Sequence, residues 1–308
     1  MIKLDNITNE ILDKIDPIGF EQKGAFNLRY NGAPLCHSNS ENIRIEKKTD
    51  KQGIDIFISS KCRGEYVHIP VVMNETGLTD VVYNDFFVED GADVIIVAGC
   101  GINNDGCYES RHDGIHAFHV GKNCTVKYIE NHYAQGSGTG GRVLNPVTEI
   151  EVGEASVFTL ETSQIGGVDS TIRKNYVSLG KGAKLIVTEK LLTEGEQSAE
   201  SDMSINLDGE NSSAQIISRS VGKGDSQQTF HPCAIGNNKC HAHVQCDSII
   251  MDNARICSIP EIDAHHIDAA IVHEAAIGRI NNDQLVKLMT LGLNEQEAEA
   301  VIIEVFLK

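Results

Sequence analysis

Short units in which a turn is followed by an apolar-rich run recur along the middle of the chain. They read DGADVIIV at 90–97, VGKNCTVKYI at 120–129, VGEASVFTL at 152–160, LGKGAKLIVT at 179–188 and LDGENSSAQII at 207–217. Their glycines are Gly91, Gly121, Gly153, Gly180 and Gly209, with Gly236 continuing the series, at intervals of 30, 32, 27, 29 and 27 residues. A glycine supplies the positive φ of a tight turn, and a run rich in Val, Ile and Thr favours a strand. Strands at this spacing, with few helix-period stretches between them, stack in parallel as rungs of a β-helix. At about 3.3 Å per strand residue, each repeat covers roughly one to two rungs. An antiparallel sandwich with evenly spaced turns fits the same period. A left-handed hexapeptide helix fits less well, because no strict six-residue apolar period is present.

The two ends follow a different pattern. Ile7, Ile11, Leu12 and Ile15 are spaced along one helical face, and the irregular FNLRYNGAPLCHSNS follows. At the other end, Asn281-Asn282 caps a helix whose apolar face is Leu285, Leu288 and Met289, stopped by Gly292. Asn294 and Glu297 make a capping box, and Ala298, Val301, Ile302, Val305 and Phe306 form the stripe of a second helix. The expected organisation is an N-terminal helical and irregular segment over 1–40, a mainly β core over 41–272 and a C-terminal helical pair over 273–308.

Charge narrows the function classes. A formal net charge of −18 opposes binding to nucleic acid, whose phosphates need a Lys/Arg surface, and to an anionic membrane. The N-terminal MIKLDNITNEILDKIDP has no apolar run of signal or membrane-spanning length, so a cytoplasmic protein is expected. Nine cysteines, at 36, 62, 100, 107, 124, 233, 240, 246 and 257, then sit in a reducing compartment, and an odd count does not suggest a disulfide framework.

Residues 230–276 hold the densest collection of metal-capable side chains, with four Cys and six His. The cysteines carry no CxxC pair, which disfavours a structural zinc ribbon. Strand alternation puts Cys240, Ala242, Val244 and Cys246 on one face and His241, His243 and Gln245 on the other. That apolar company fits buried core cysteines as well as ligands. His265 and His266 are adjacent and point apart in a strand. The Gly-rich run QGSGTGGR at 135–142 lacks the Gly-Lys-Ser/Thr of a phosphate loop and reads as a mobile loop between rungs. His112, Asp113, His116 and His119 offer no selected hydrolase arrangement, and with no Trp and few aromatics a carbohydrate-cleaving groove is not expected. A non-enzymatic role follows.

The run Gln245-Cys246-Asp247-Ser248-Ile249-Ile250-Met251-Asp252, then Ile259-Pro260-Glu261-Ile262 and Val272-His273-Glu274-Ala275, resembles the C-terminal core of SufB. It continues through Ile280, Asp283-Gln284-Leu285, Gly292-Leu293, Glu297-Ala298 and Phe306. The resemblance is close over 240–308 and looser over 90–240, where Thr148 to Glu154 also takes part.

Likeness to the SufB/SufD family implies a right-handed parallel β-helix with a short N-terminal helical segment and a C-terminal helical pair. It implies a non-catalytic scaffold on which a transient iron–sulfur cluster is assembled at a junction of two β-helix subunits. A SufC-like ABC-type ATPase would dock on the C-terminal helices through Asp283, Leu285, Leu288, Gly292 and Phe306. The family's key Cys falls on Cys246 and its key Glu on Glu274, with His273 beside it. Cys240 and Cys257, together with Cys233 and His265, are second-tier candidates. The chain is shorter than typical SufB and lacks its N-terminal Cys-rich motif, yet keeps the Cys246 and Glu274 signatures that SufD generally loses. A homodimer, in place of pairing with a SufD-like subunit, is therefore expected. The alternative is a SufD-like structural partner that binds no cluster itself.

Overall fold

The computed structural model describes residues 4–19 and 24–308, so residues 1–3 and 20–23 of the expected N-terminal segment lie outside the description. Strands make up 58% of the structure and wind into a β-solenoid of about eight turns, with a short helix at one end and two at the other. Numbered in chain order, α1 (Asn6–Ile15) comes first. Next come two hairpins, β1 (Gly24–Tyr30) with β2 (Ala33–Ser38) and β3 (Ile43–Lys47) with β4 (Gly53–Ile58). One long sheet continues from β1 through β5 (Arg63–Met73), β7 (Asp93–Asn103), β9 (Thr125–Gln135), β12 (Val157–Ile165), β14 (Lys184–Thr193), β16 (Ser212–Gly222), β18 (Cys240–Ile250) and β21 (Ala269–Gly278). The other continues from β4 through β6 (Thr79–Val88), β8 (Ser110–Val120) and the pair β10 (Arg142–Leu144) and β11 (Val147–Val152). It runs on through β13 (Ser170–Leu179), β15 (Ser198–Leu207), β17 (Gln227–Gly236) and the pair β19 (Arg255–Ser258) and β20 (Glu261–Ala264). Helices α2 (Asn282–Thr290) and α3 (Glu295–Leu307) close the chain.

Among the described residues, every strand pairing outside the two N-terminal hairpins is parallel, which rejects the antiparallel sandwich. Each turn contributes one rung to each sheet, so a residue meets its counterpart about one repeat later. Val88, Val120, Val152, Leu179 and Leu207 form one such column, and Val94, Val126, Phe158, Leu185, Ala214 and Ala242 another. Stacked apolar side chains fill the space between the sheets. Phe118 is its aromatic centre, with ring centroids 4.3 Å from Phe86, 4.8 Å from Tyr128 and 5.2 Å from Phe158.

The glycine series is real, but its physical cause differs from the expectation. Positive φ at the equivalent turn position is held by Gly91, Asn123, Ala155, Gly182 and Asn211. Gly121, Gly153 and Gly209 serve close stacking instead. A Cβ on Gly153 would lie 2.4 Å from the Gly121 carbonyl oxygen, and one on Gly209 would lie 2.1 Å from the Gly180 carbonyl carbon.

Two boundaries also move. FNLRY and APLCHS are not irregular but form the β1–β2 hairpin, closed by Asn31-Gly32 with φ of 45° and 75°, the two-residue turn that Asn-Gly favours. The solenoid thus starts before residue 41 and, through β21, ends after 272. The run at 135–142 is pinned to the turn beneath it, Gly138 N donating to Asn104 O at 3.1 Å and Gly140 N to Gly106 O at 3.0 Å. Both expected C-terminal helices are present, with Asn281 as the cap of α2 and the Asn294–Glu297 capping box on α3. Among the described residues, no helix is long and apolar enough to cross a membrane.

Candidate functional site at the C-terminal end of the solenoid

The last complete turn places Cys246 on β18, facing the interior at 3% exposure. Alternation turns Gln245 and Asp247 outward. On the neighbouring edge strand β21, Val244 pairs with His273 and Gln245 with Glu274. His273 therefore shares the inner face, and its Nε2 stands 3.3 Å from the Cys246 Sγ. Glu274 faces the other way, with its Oε2 3.5 Å from His243 Nε2 on the outer surface. Of the three principal expected ligands, the fold brings two together and holds the third across the strand.

The same register separates the second-tier cysteines. Cys240 is buried on the inner face of β18, six residues from Cys246, or about 20 Å along an extended strand. Cys257 is exposed on β19 but borders the small cavity into which Cys246 faces, alongside Glu189, Ser218 and Gln228. That cavity measures about 10 Å³, room for about one water molecule. Cys233 lies on the outer face beside Glu261, and His265 Nδ1 meets the Asn237 Oδ1 at 2.7 Å. Among the described residues, no group of three His, Cys, Asp or Glu side chains is arranged to hold a metal ion.

Electrostatics keep Cys246 in its thiol form. Burial pushes it up to about 11, opposed by Ser258 and reinforced by Glu189 and Asp247. Burial, with the nearby His243 adding to it, pushes His273 down. A protonated thiol beside a neutral imidazole is a poor ligand pair until solvent or metal reaches it, because the thiolate is the species that binds metal. The cover over the pair is made of edge strands. β21 is the edge of its sheet and β19 and β20 the edge of the other. The end they form exposes Ile259, Ile262, Ile267 and Ile277 by 47%, 49%, 95% and 44%. Unpaired strand edges with apolar side chains are pairing surfaces.

Helices α2 and α3 sit beside this end. Leu307, Ile303 and Phe306 anchor α3 on Val221 and Met251. Between the helices and Ile249 runs an apolar groove of about 540 Å³ lined by Leu288, Leu291, Val301, Ile302, Val305 and Phe306. Of the expected docking residues, Leu288 and Phe306 line it, Leu285 is half-buried on α2, Asp283 is exposed in the first turn of α2, and Gly292 makes the interhelical turn at φ 101°.

Sequence reasoning missed a polar row inside the solenoid. Glu130, Thr162, Glu189, Ser218 and Cys246 are consecutive members of one inward column. Beside it run Cys100, His132, Gln164, Leu191, Ser220 and Ser248. Their charges are balanced internally. Glu130 bonds Arg173, whose Nη2 is 3.2 Å from His132 Nδ1, and Asp80 holds Arg29 at 2.9 Å and His112 at 3.1 Å. Burial alone would raise the Cys100 thiol, but His112 and His132 outweigh it and bring it to about 7. Burial opposes charge on His112, yet Cys100 and Asp80 lift it to about 10. The missed signal was polar residues at inward positions of otherwise apolar strands, such as Glu130 and His132 two apart on β9.

A sequence profile described as the SufBD core domain of the SUF system of FeS cluster assembly matches residues 72–306. An iron–sulfur cluster assembly SufBD family protein of Methanocaldococcus jannaschii is 27% identical over 97% of this chain and 98% of its own length. Family members of Methanothermobacter thermautotrophicus and Archaeoglobus fulgidus are 23% and 27% identical over 73% and 74% of this chain. Those matches span only 54% and 60% of the two relatives. With the profile covering most of the solenoid and both terminal helices, this chain belongs to the SufBD family of iron–sulfur cluster assembly proteins.

Proposed function

We propose that the chain is a non-catalytic scaffold, working in the cytoplasm, on which a transient iron–sulfur cluster is built as cargo at the junction of two copies. The observation that carries this reading is the Cys246–His273 pair, 3.3 Å apart on the last two inner rungs of a solenoid whose end is an open pair of strand edges. Thiolate and imidazole suit iron, and a cluster that must leave is served by fewer than four thiolates. Glu274 lies on the outer face of the same edge strand, so a second copy docking there completes the ligand set by symmetry.

The buried thiol sets a condition. Cys246 becomes a ligand only when β21 shifts or the end opens, since its proton must leave and iron must reach it. The apolar groove on α2 and α3 is where a SufC-like ATPase would grip. Its nucleotide-driven motion is passed through α3 to Val221 and Met251, at the ends of the rungs that carry Cys246. Val305, exposed by 64%, lines that groove. Val305→Asp should leave the melting curve unchanged and abolish co-purification of an ABC-type ATPase with the tagged chain. Undiminished capture by the variant would remove the groove from the account.

The alternative of a SufD-like partner without cluster chemistry predicts an isolated protein that is monomeric and takes up no iron. The retained Cys246 and His273 contact favours the scaffold reading.

A further inference from the structure

The sheet opposite Cys246 carries a second group of metal-capable side chains on its outer face, near its C-terminal edge. His231 and Cys233 lie two residues apart on β17, so both point outward, about 6.6 Å apart along the strand. The neighbouring rungs bring carboxylates to them. On one side β15 pairs Asp202 with His231, and on the other β20 pairs Glu261 with Cys233. Glu261 Oε1 stands 3.2 Å from His231 Nε2, and the same carboxylate accepts from the Cys233 thiol. Across the ring, Asp202 Oδ1 is 3.6 Å from Nδ1. Among the described residues, Asp202, Glu261 and the nearby Asp263 have only histidines as ion-pair partners.

His231 Nε2 is the unanswered atom of this group. It is buried and, despite the short contact with Glu261, has no aligned hydrogen-bond partner. The group standing against it is a flexible carboxylate, 60% exposed on an edge strand. An ion therefore reaches the nitrogen from solvent by displacing a surface side chain and no core residue. Two ligands of a tetrahedral ion, each at about 2.0–2.1 Å, stand about 3.3–3.4 Å apart. The 3.2 Å between Nε2 and Oε1 is close to that span. As the side chains stand, the three donors do not yet converge on one point. Rotation of the exposed Glu261 side chain and of the Cys233 thiol closes the set.

We propose that His231 Nε2, Cys233 Sγ and the Glu261 carboxylate bind one divalent transition-metal ion, of the Zn²⁺ or Fe²⁺ kind, with Asp202 as a positioning residue on His231 Nδ1. Thiolate, imidazole and carboxylate are donors that such ions take. A carboxylate on the other ring nitrogen fixes the tautomer that offers Nε2 to the metal. Water fills the fourth position, and binding releases the Cys233 proton to solvent. The site uses neither Cys246, His273 nor Glu274, and it stands independently of the cluster reading.

Anaerobic titration of the chelator-treated full chain with Co²⁺, followed by ultraviolet and visible absorption, tests this in a Cys246→Ser background that removes the cluster thiol. One equivalent should give the d–d bands of a tetrahedral site and a thiolate-to-cobalt charge-transfer band, both lost on adding Zn²⁺. Cys233→Ser should remove the charge-transfer band, and His231→Ala and Glu261→Gln should each weaken binding by about tenfold or more. Asp202→Ala should weaken it by about ten- to a hundredfold and keep the charge-transfer band at saturation. All four side chains face outward, so the melting curves should not move. Cys107→Ser, at an exposed thiol elsewhere, should bind as its parent does. No saturable signal in the Cys246→Ser chain, or a thiolate band that survives Cys233→Ser, would overturn the proposal.

Discussion

Glu130→Gln tests whether charge inside the solenoid is a structural requirement. Glu130 and Arg173 are 2% and 5% exposed and bond each other directly. The next carboxylate, Glu189, is 3.9 Å from the Arg173 Nε. A neutral amide at 130 leaves the guanidinium underpaired in a dry interior, at a cost of about 3–5 kcal/mol. At roughly 2 °C per kcal/mol for a chain of this size, the melting temperature should fall by about 6–10 °C. The pH dependence gives a second readout. Burial alone would raise the Glu130 carboxyl, but Arg173 and then His132 hold it well below its ordinary value of 4.5. A depressed carboxylate contributes stability that is present above the unfolded pKa and lost as pH falls through the folded one. The gap between wild type and Glu130→Gln should therefore narrow as pH drops below 4.5. Adding Arg173→Met should recover only part of the loss, because the unpaired guanidinium is gone but buried Glu189 then loses its cation. Thermal melts followed by far-ultraviolet circular dichroism measure all three. A variant melting within about a degree of wild type, which would cap the cost at under roughly 1 kcal/mol, refutes the reasoning.

Three further outcomes are expected. Gly209→Ala drives a Cβ to 2.1 Å from the Gly180 backbone and should cost about 1–3 kcal/mol, whereas Gly278→Ala, with nothing within 4 Å, should be neutral within about 0.5 kcal/mol by urea denaturation. At pH 8, iodoacetamide should modify Cys246, with its thiol raised to about 11, at least about a hundredfold more slowly than exposed Cys107, measured by peptide mass spectrometry. Phe118→Ala opens a cavity among Phe86, Tyr128 and Phe158 and should destabilise by about 3–5 kcal/mol in the same denaturation assay.

The parallel solenoid was legible because each rung repeats one turn chemistry and one apolar column, so the period survives in the sequence even where the residues differ. The role of the glycines was misread because a glycine that avoids a clash with the rung below looks the same in sequence as one with positive φ. Gly121 and Gly153 are of the first kind, and the turn position itself is filled by Asn123 and Ala155. The β1–β2 hairpin was legible in Asn31-Gly32 but was masked by the proline and polar residues that follow. At the site, alternation alone placed Cys246 inward, while its contact with His273 depends on a pairing 27 residues apart. The inward polar residues themselves show locally, as Glu130 and His132 do on β9, but which of them meet depends on stacking across many such pairings.

Anaerobic reconstitution with iron and sulfide, read by visible absorption and by iron and sulfide content per chain, tests the central claim most directly. Wild type should hold a cluster shared between two chains. Cys246→Ser should abolish it, and Glu274→Ala should weaken it while leaving the melting curve in place. If both variants hold as much cluster as wild type, the junction built on Cys246 and Glu274 is not where the cluster forms.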